Sequence, residues 1–288
     1  MGRPFQFTGS ILSPMSPPKI GAVSYLNTKP LVYGLDSLAS GYEIVYDLPS
    51  RLADRLDTGE LDVALVPVIE AVCNPQYTVV SDAAIACRGP VRSVKIVSRV
   101  RPECIESLAL DEGSRTSVAL AKILLEERHG VTPRCEPLAI DMDWRQSTTD
   151  AVLVIGDRAM HHLTADPRNT NGFQFEWDLG DVWHQWTGLP FVFAVWAAHP
   201  RANYTELDSI LGRSRDLGVS NAQQIVADQA PQHDLSVTDC QHYLSHHLHF
   251  FMGDQEKIGL EKYFTYARQM SLIPQDVTLQ FHDCQSTG

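Results

Sequence analysis

The sequence predicts an α/β protein of two lobes joined by a two-strand hinge, with a helical C-terminus. Three observations lead there. Short apolar runs alternate with helical patterns from Lys19 to Val80, the β-α-β-α rhythm of a largely parallel sheet with helices on its faces. The same rhythm restarts after the extended segment Ser93–Val100 and closes on a second extended segment, Phe191–Ala198. From Asn203 onward only helical periodicity remains. A chain that leaves a lobe and returns to it makes a hinge of two crossover segments, and ligands favour the cleft such a hinge creates. The expected boundaries are a flexible leader at 1–18, lobe one at 19–98 and 196–288, and lobe two at 99–195.

In lobe one, Lys19–Val23 and Tyr42–Asp47 read as strands. Pro49 and Ser50 open a helix whose apolar positions are Leu52, Ala53 and Leu56, and Gly59 closes it. Asp62–Val66 is a strand, Pro67 starts a short helix to Cys73, and Tyr77–Val80 is a further strand. In lobe two, Ser107–Leu110 is a strand and Thr116–His129 a helix stopped by Gly130. Arg134–Pro137 and Ala151–Ile155 are strands, and Gly156–Leu163 and Leu179–Trp186 are helical. The tail carries helices near 203–212, 219–229, 238–250 and 254–270, with Thr238 and Gln241 as a capping box for the third.

Composition narrows the function. With 288 residues and a hydrophobic fraction of 44%, a sizeable core is available. The net charge of −12 argues against nucleic acid or an anionic membrane surface as partner. No apolar run reaches the roughly 18 residues a membrane-spanning helix needs. Met1 to Pro18 has no continuous apolar stretch and several prolines, so it reads as a leader rather than a signal peptide, and export is not expected. Six cysteines at 73, 87, 104, 135, 240 and 284 show no C-x-x-C spacing and read as reduced, mostly buried thiols.

Two turns rich in glycine and hydroxyl residues mark strand–helix boundaries. In Asp111-Glu112-Gly113-Ser114-Arg115-Thr116-Ser117, three hydroxyls and a guanidinium gather at a helix start. One hydroxyl suffices for a cap; the excess suits a carboxylate or phosphate held by the helix N-terminus. The other turn, Trp186-Thr187-Gly188-Leu189-Pro190, precedes the last strand. Asn27 or Thr28 either caps a helix entered at Pro30 or presents an amide to the cleft. Ser93 after Gly89-Pro90-Val91-Arg92 either ends a tight turn or faces the cleft from the hinge. Asp157 after Gly156 is a cap or a ligand contact, while Asp62 and Asp111 read as structural. His242 and His246 share a helix face, but no carboxylate completes a metal motif, and a solvated surface is the simpler account. No phosphate loop, dinucleotide fingerprint or nucleophile elbow is present.

Five blocks in register resemble the chorismate dehydratases: Ser24-Tyr25-Leu26-Asn27-Thr28-Lys29-Pro30-Leu31, Gly89-Pro90-Val91-Arg92-Ser93-Val94, Ser114-Arg115-Thr116-Ser117, Ile155-Gly156-Asp157, and Thr187-Gly188-Leu189-Pro190 through Trp196. Gly259 to Phe264 resembles the family more loosely. The resemblance implies a type II periplasmic-binding-protein-like fold used as a cytoplasmic enzyme of the futalosine route to menaquinone. Its reaction removes water from chorismate to give 3-[(1-carboxyvinyl)oxy]benzoate, for which no metal or redox cofactor is needed.

The implied partner is thus a small molecule, with the chain a monomer or homodimer. On the resemblance, Asn27 and Ser93 are expected to serve catalysis. Tyr25, Ser114, Arg115, Thr116, Ser117, Gly156 and Asp157 are expected to bind substrate, and Thr187 with Gly188 to form the opposite wall. Other readings are a solute-binding protein for an aromatic or small dicarboxylic acid, the ligand-binding domain of a regulator, and dihydroxynaphthoate synthase. The last is disfavoured because Ser24-Tyr25-Leu26-Asn27 replaces that enzyme's Ser-Pro-Cys-Pro-Asn-Asp type of run.

Overall fold

In a computed structural model, residues 17–161, 171–202 and 206–282 are described. Their strands form two sheets. The first contains β1 (Lys19–Val23), β2 (Glu43–Asp47), β3 (Val63–Pro67), β4 (Thr78–Cys87), β10 (Phe191–Ala198) and β11 (His249–Phe251), in the order β11-β4-β10-β3-β1-β2. The second contains β5 (Val94–Ser98), β6 (Ser107–Asp111), β7 (Arg134–Leu138), β8 (Ala151–Ile155) and β9 (Phe175–Asp178), in the order β7-β6-β8-β5-β9. In both sheets the strands joined through helices pair in parallel: β1 with β2 and β3, and β6 with β7 and β8. The others pair antiparallel. The expected largely parallel sheets are therefore mixed. Only a crossover helix imposes parallel pairing, and no such helix joins β4 to β10 or β5 to β8 within its sheet.

The two extended segments are not themselves the crossings. Val94–Ser98 lies wholly in the second sheet and Phe191–Ala198 wholly in the first. The chain changes sheets just before each of them. β3, β5, β8 and β10 are buried along their whole length, which is why they read as continuous apolar runs rather than alternating ones.

Helices α1 (Leu35–Leu38), α2 (Pro49–Asp57), α3 (Val68–Cys73), α4 (Arg115–His129), α5 (Leu179–Thr187), α6 (Leu207–Ser220), α7 (Ala222–Gln229), α8 (Val237–His242) and α9 (Asp254–Gln269) complete the fold. Pro49 stands at the start of α2, and Gly130 ends α4 in the left-handed conformation, as the sequence predicts.

Several expectations change. The strand expected to end at Val80 runs on to Cys87 through Ser81 and Asp82, polar residues that concealed its length. The helix expected from Gly156 to Leu163 is a short 3-10 turn, Gly156–Ala159, and Leu163 lies outside the described residues. The helix expected over 238–250 divides into α8, a π-helical turn at Tyr243–His247, and the edge strand β11. Its cap is Ser236, whose Oγ accepts the Asp239 N–H at 3.0 Å, not Thr238. The predicted start at Asn203 and most of the predicted leader lie outside the described residues. Of the cysteines described, Cys87 and Cys240 are buried and Cys73 is half-buried, whereas Cys104 and Cys135 are exposed. Among the described residues no helix is long and apolar enough to cross a membrane, and no group of three or more His, Cys, Asp or Glu could hold a metal ion.

Candidate active site

The two sheets meet around a small cavity that opens to solvent. The ends of β1 and β3 reach it through Val23 and Pro67, the start of β5 through Val94, and the end of β8 through Ile155 and Gly156. This is the position where ligands of α/β proteins gather, beyond the carboxyl ends of parallel strands.

Asn27 lies on this cavity within a 3-10 turn, Leu26–Val32, so it is neither a cap nor part of a later helix. Its Oδ1 accepts the Thr28 hydroxyl at 3.2 Å. That orientation leaves the amide nitrogen as the donor for a ligand. The turn is itself held from the other sheet, because Asp157 Oδ1 accepts the Leu26 N–H at 3.0 Å. Asp157 is thus a cap, supplied across the cleft to the turn that carries Asn27. Its Oδ2 lies 3.3 Å from His233 Nδ1. Burial raises the Asp157 pKa above the usual carboxylate value, opposed by the Leu26 N–H and by the charges of His233 and Lys29.

Ser114, Ser117, Ser93, Tyr25 and Gly156 also line the cavity. Ser114 caps α4, its Oγ accepting the Ser117 N–H at 3.4 Å and the Ser117 hydroxyl at 3.1 Å. The capping geometry follows from Ser114's extended backbone ahead of a helix of 15 residues. Such a helix start carries a partial positive charge and has N–H groups to spare. The Tyr25 ring lies over Gly156, where an added Cβ would come within 2.9 Å of the ring. Burial, then the nearby Asp111 and Asp157 carboxylates, holds the Tyr25 phenol far above its ordinary pKa and so protonated. Asp111 is structural: it is fully buried, accepts the Gly113 N–H at 2.9 Å and the Ile155 N–H at 3.1 Å, and pairs with Arg158.

Five expected residues are not part of the cavity lining; one is Asp157, whose two oxygens are taken by the Leu26 N–H and His233. Arg115 points from the helix start to Asp54 at 2.8 Å and Glu70 at 3.2 Å, tying α4 to α2 and α3. Thr116 is buried, with its Oγ1 accepting the Ile69 N–H at 3.3 Å. Thr187 spends its hydroxyl on the Trp183 carbonyl at 2.8 Å, and Gly188 is the left-handed stop of α5. The opposite wall is instead Phe193 and Ala194 of β10, with Ile85 of β4. The pairing of β10 with β4 shifts register between Val192 and Ala194, which leaves Phe193 as the extra residue of a bulge. Bulges re-aim side chains next to active sites. Nothing in the sequence marked this one, since the whole strand is apolar.

Among the described residues no Lys or Arg lines the cavity. An anionic ligand placed there would face the start of α4, hydroxyls and an amide rather than a basic side chain. We therefore expect Arg115→Ala to change KM by less than about threefold, its ion pairs being half-exposed and worth little. Ser114→Ala should raise KM by about tenfold or more, the loss of one bond to a charged group. Steady-state kinetics on the two variants separate these cases.

Comparison with known proteins decides the family. Residues 18–269, which include every residue lining the cavity, match the family described as Menaquinone biosynthesis. The chain belongs to this menaquinone biosynthesis family. Relatives in sequence are the chorismate dehydratase of Thermus thermophilus and that of Campylobacter jejuni. The first is 29% identical over 265 residues, covering 86% of this chain and 94% of the relative. The second is 26% identical over 259 residues, covering 88% and 98%. In structure, this member of the family is similar to a protein from Archaeoglobus fulgidus at a TM-score of 0.70, with 15% identity and coverage of 88% and 98%. It is also similar to the periplasmic aliphatic sulphonate binding protein SsuA of Escherichia coli at a TM-score of 0.55, with 15% identity and coverage of 91% and 96%. The fold is that of the periplasmic binding proteins; at such identities the likeness speaks of fold alone.

Proposed function

We infer that the protein is a chorismate dehydratase, a carbon–oxygen lyase of the cytoplasm that converts chorismate to 3-[(1-carboxyvinyl)oxy]benzoate as the first step of futalosine-dependent menaquinone synthesis. The observation that carries this reading is the convergence of Asn27, Ser93, Ser114 and Ser117 on one cavity, drawn from three separate sequence blocks. The likeness of nearly the whole chain to two dehydratases supports it.

Chorismate carries two carboxylates, and the apolar walls Val23, Ile85 and Phe193 suit its ring. The start of α4 binds one carboxylate through first-turn N–H groups and the Ser114 and Ser117 hydroxyls. The hydrogen at C3 and the hydroxyl at C4 must leave, and they lie on one face because the two oxygen substituents are trans. That syn arrangement disfavours a concerted anti elimination. The substrate's own enolpyruvyl carboxylate takes the C3 proton, with Asn27 donating to it and holding it above that face. Ser93 assists the departing oxygen. The released proton and hydroxide make one water, and the ring becomes aromatic. Positioning of this kind can supply several kcal/mol of a barrier.

The test is direct. Purified protein is mixed with chorismate alone, and products are followed by mass and ultraviolet absorption. A product lighter by one water, with the spectrum of a substituted benzoate, is the expected result. Tight binding without turnover would sink the enzyme reading in favour of a solute-binding protein.

A further inference from the structure

The C-terminal helices carry one group that the dehydration site has not yet used. Tyr243 opens the π-helical turn at the end of α8, where the Leu248 N–H donates to the Tyr243 carbonyl at 3.2 Å. Such turns insert a residue into the helical register and recur at functional sites. Here the turn drives the Tyr243 side chain fully into the core. Its hydroxyl is buried and makes no well-formed hydrogen bond among the described residues, although the Ser93 side chain stands within reach of it. A buried hydroxyl without a partner is costly and calls for an explanation.

The surroundings supply one. The same π-helical turn grips the hinge, with His247 Nδ1 3.1 Å from the Pro90 carbonyl. From the other side Asp178 accepts the N–H groups of Val91 at 2.9 Å and Arg92 at 2.6 Å. Arg92 is held at φ +62°, a conformation rare outside glycine. The backbone leading into Ser93 is thus clamped on both sides, and the remaining freedom is rotation of the serine hydroxyl. That hydroxyl donates only a long bond of 3.4 Å to the Val91 carbonyl. Burial keeps the Tyr243 phenol protonated, so it is available as a donor.

We propose that Tyr243 is a positioning residue for the dehydration: its hydroxyl donates to Ser93 Oγ and so turns the serine's own proton from Val91 into the cavity, onto the oxygen leaving C4. Neither hydroxyl loses its proton in the balance. The C3 proton passes to the enolpyruvyl carboxylate, the C4–O bond breaks, and the departing hydroxide takes that proton, so water leaves and the carboxylate is restored. A chain of two hydroxyls polarises the second donor, which strengthens its bond to developing negative charge.

The proposal rests on the dehydratase reading, and the experiment keeps the two apart. Tyr243→Phe, Ser93→Ala and the double variant are assayed with chorismate and melted without it. Tyr243→Phe is expected to lower kcat about ten- to hundredfold with KM within about twofold. In the Ser93→Ala background the same change should cost less than about twofold, because the group it positions is gone. Wild-type kcat in Tyr243→Phe, or an equal loss in both backgrounds, overturns the proposal. If the wild type itself does not consume chorismate, the dehydratase reading fails and the contact is judged by melting. Non-additive shifts in Tm across the cycle then uphold the Tyr243–Ser93 pair, and additive shifts dismiss it.

Discussion

Asn27→Ala is expected to lower kcat by about a hundred- to a thousandfold while leaving the fold intact. The size follows from what the amide does. In the proposed mechanism the substrate's carboxylate works as a base only while it is held over the C3 hydrogen, and the Asn27 side-chain amide lines the cavity where it would be held. The fold should tolerate the change because the amide's one internal partner is the neighbouring Thr28 hydroxyl, a loss of about 1 kcal/mol. Asp157→Asn is the companion. Its carbonyl oxygen can still accept the Leu26 N–H, so the turn carrying Asn27 stays capped, and turnover should remain within about tenfold of wild type. Abolished turnover with chorismate binding intact would make the Asp157 carboxylate the base.

The pH dependence of stability adds a second readout on Asp157→Asn. Burial raises the Asp157 pKa, so the stability it contributes is present below the ordinary carboxylate pKa and is lost as pH rises through the raised value. The variant keeps that stability. Its Tm relative to wild type should therefore climb as pH rises above the ordinary carboxylate pKa of about 4.

Local chemistry was legible in the sequence and long-range geometry was not. The parallel strand–helix units were visible where β2, β3 and β6 each lead to a residue that can start a helix: Pro49 before α2, Pro67 before α3 and Ser114 before α4. Ser114 was legible as a hydroxyl at a helix start, and it is the cap. Arg115 has the right chemistry for an anion, but the sequence could not reveal that Asp54 and Glu70 from another part of the chain would claim it. Asp157 is a comparable case: it caps a turn, but one lying 131 positions away in the chain. The bulge at Phe193 and the π-helical turn at Tyr243 break the periodicities by which strands and helices are recognised, and both stand beside the site. Deviations from local rules are expected where function competes with regularity.

Gly156→Ala is the second large effect. Gly156 has φ +69°, and an added Cβ would meet the Tyr25 ring at 2.9 Å. Two costs combine: about 1–2 kcal/mol for a side chain in the left-handed region, and about 1–3 kcal/mol for crowding a packed ring. Gly130 is the internal control, with φ +67° but no atom within 4 Å of an added Cβ. Gly130→Ala should therefore lower stability by the first cost alone, and Gly156→Ala by the sum, a difference measurable by denaturant unfolding. The variants should also differ in kinetics. Relief of the Gly156→Ala collision requires Tyr25 to move, and Tyr25 lines the cavity beside the turn that carries Asn27. Gly156→Ala should raise KM and lower kcat together, whereas Gly130→Ala, at the far end of α4, should leave both near wild type. Equal destabilisation by the two substitutions would mean that Tyr25 yields freely, and its ring could then not be a fixed wall of the cavity.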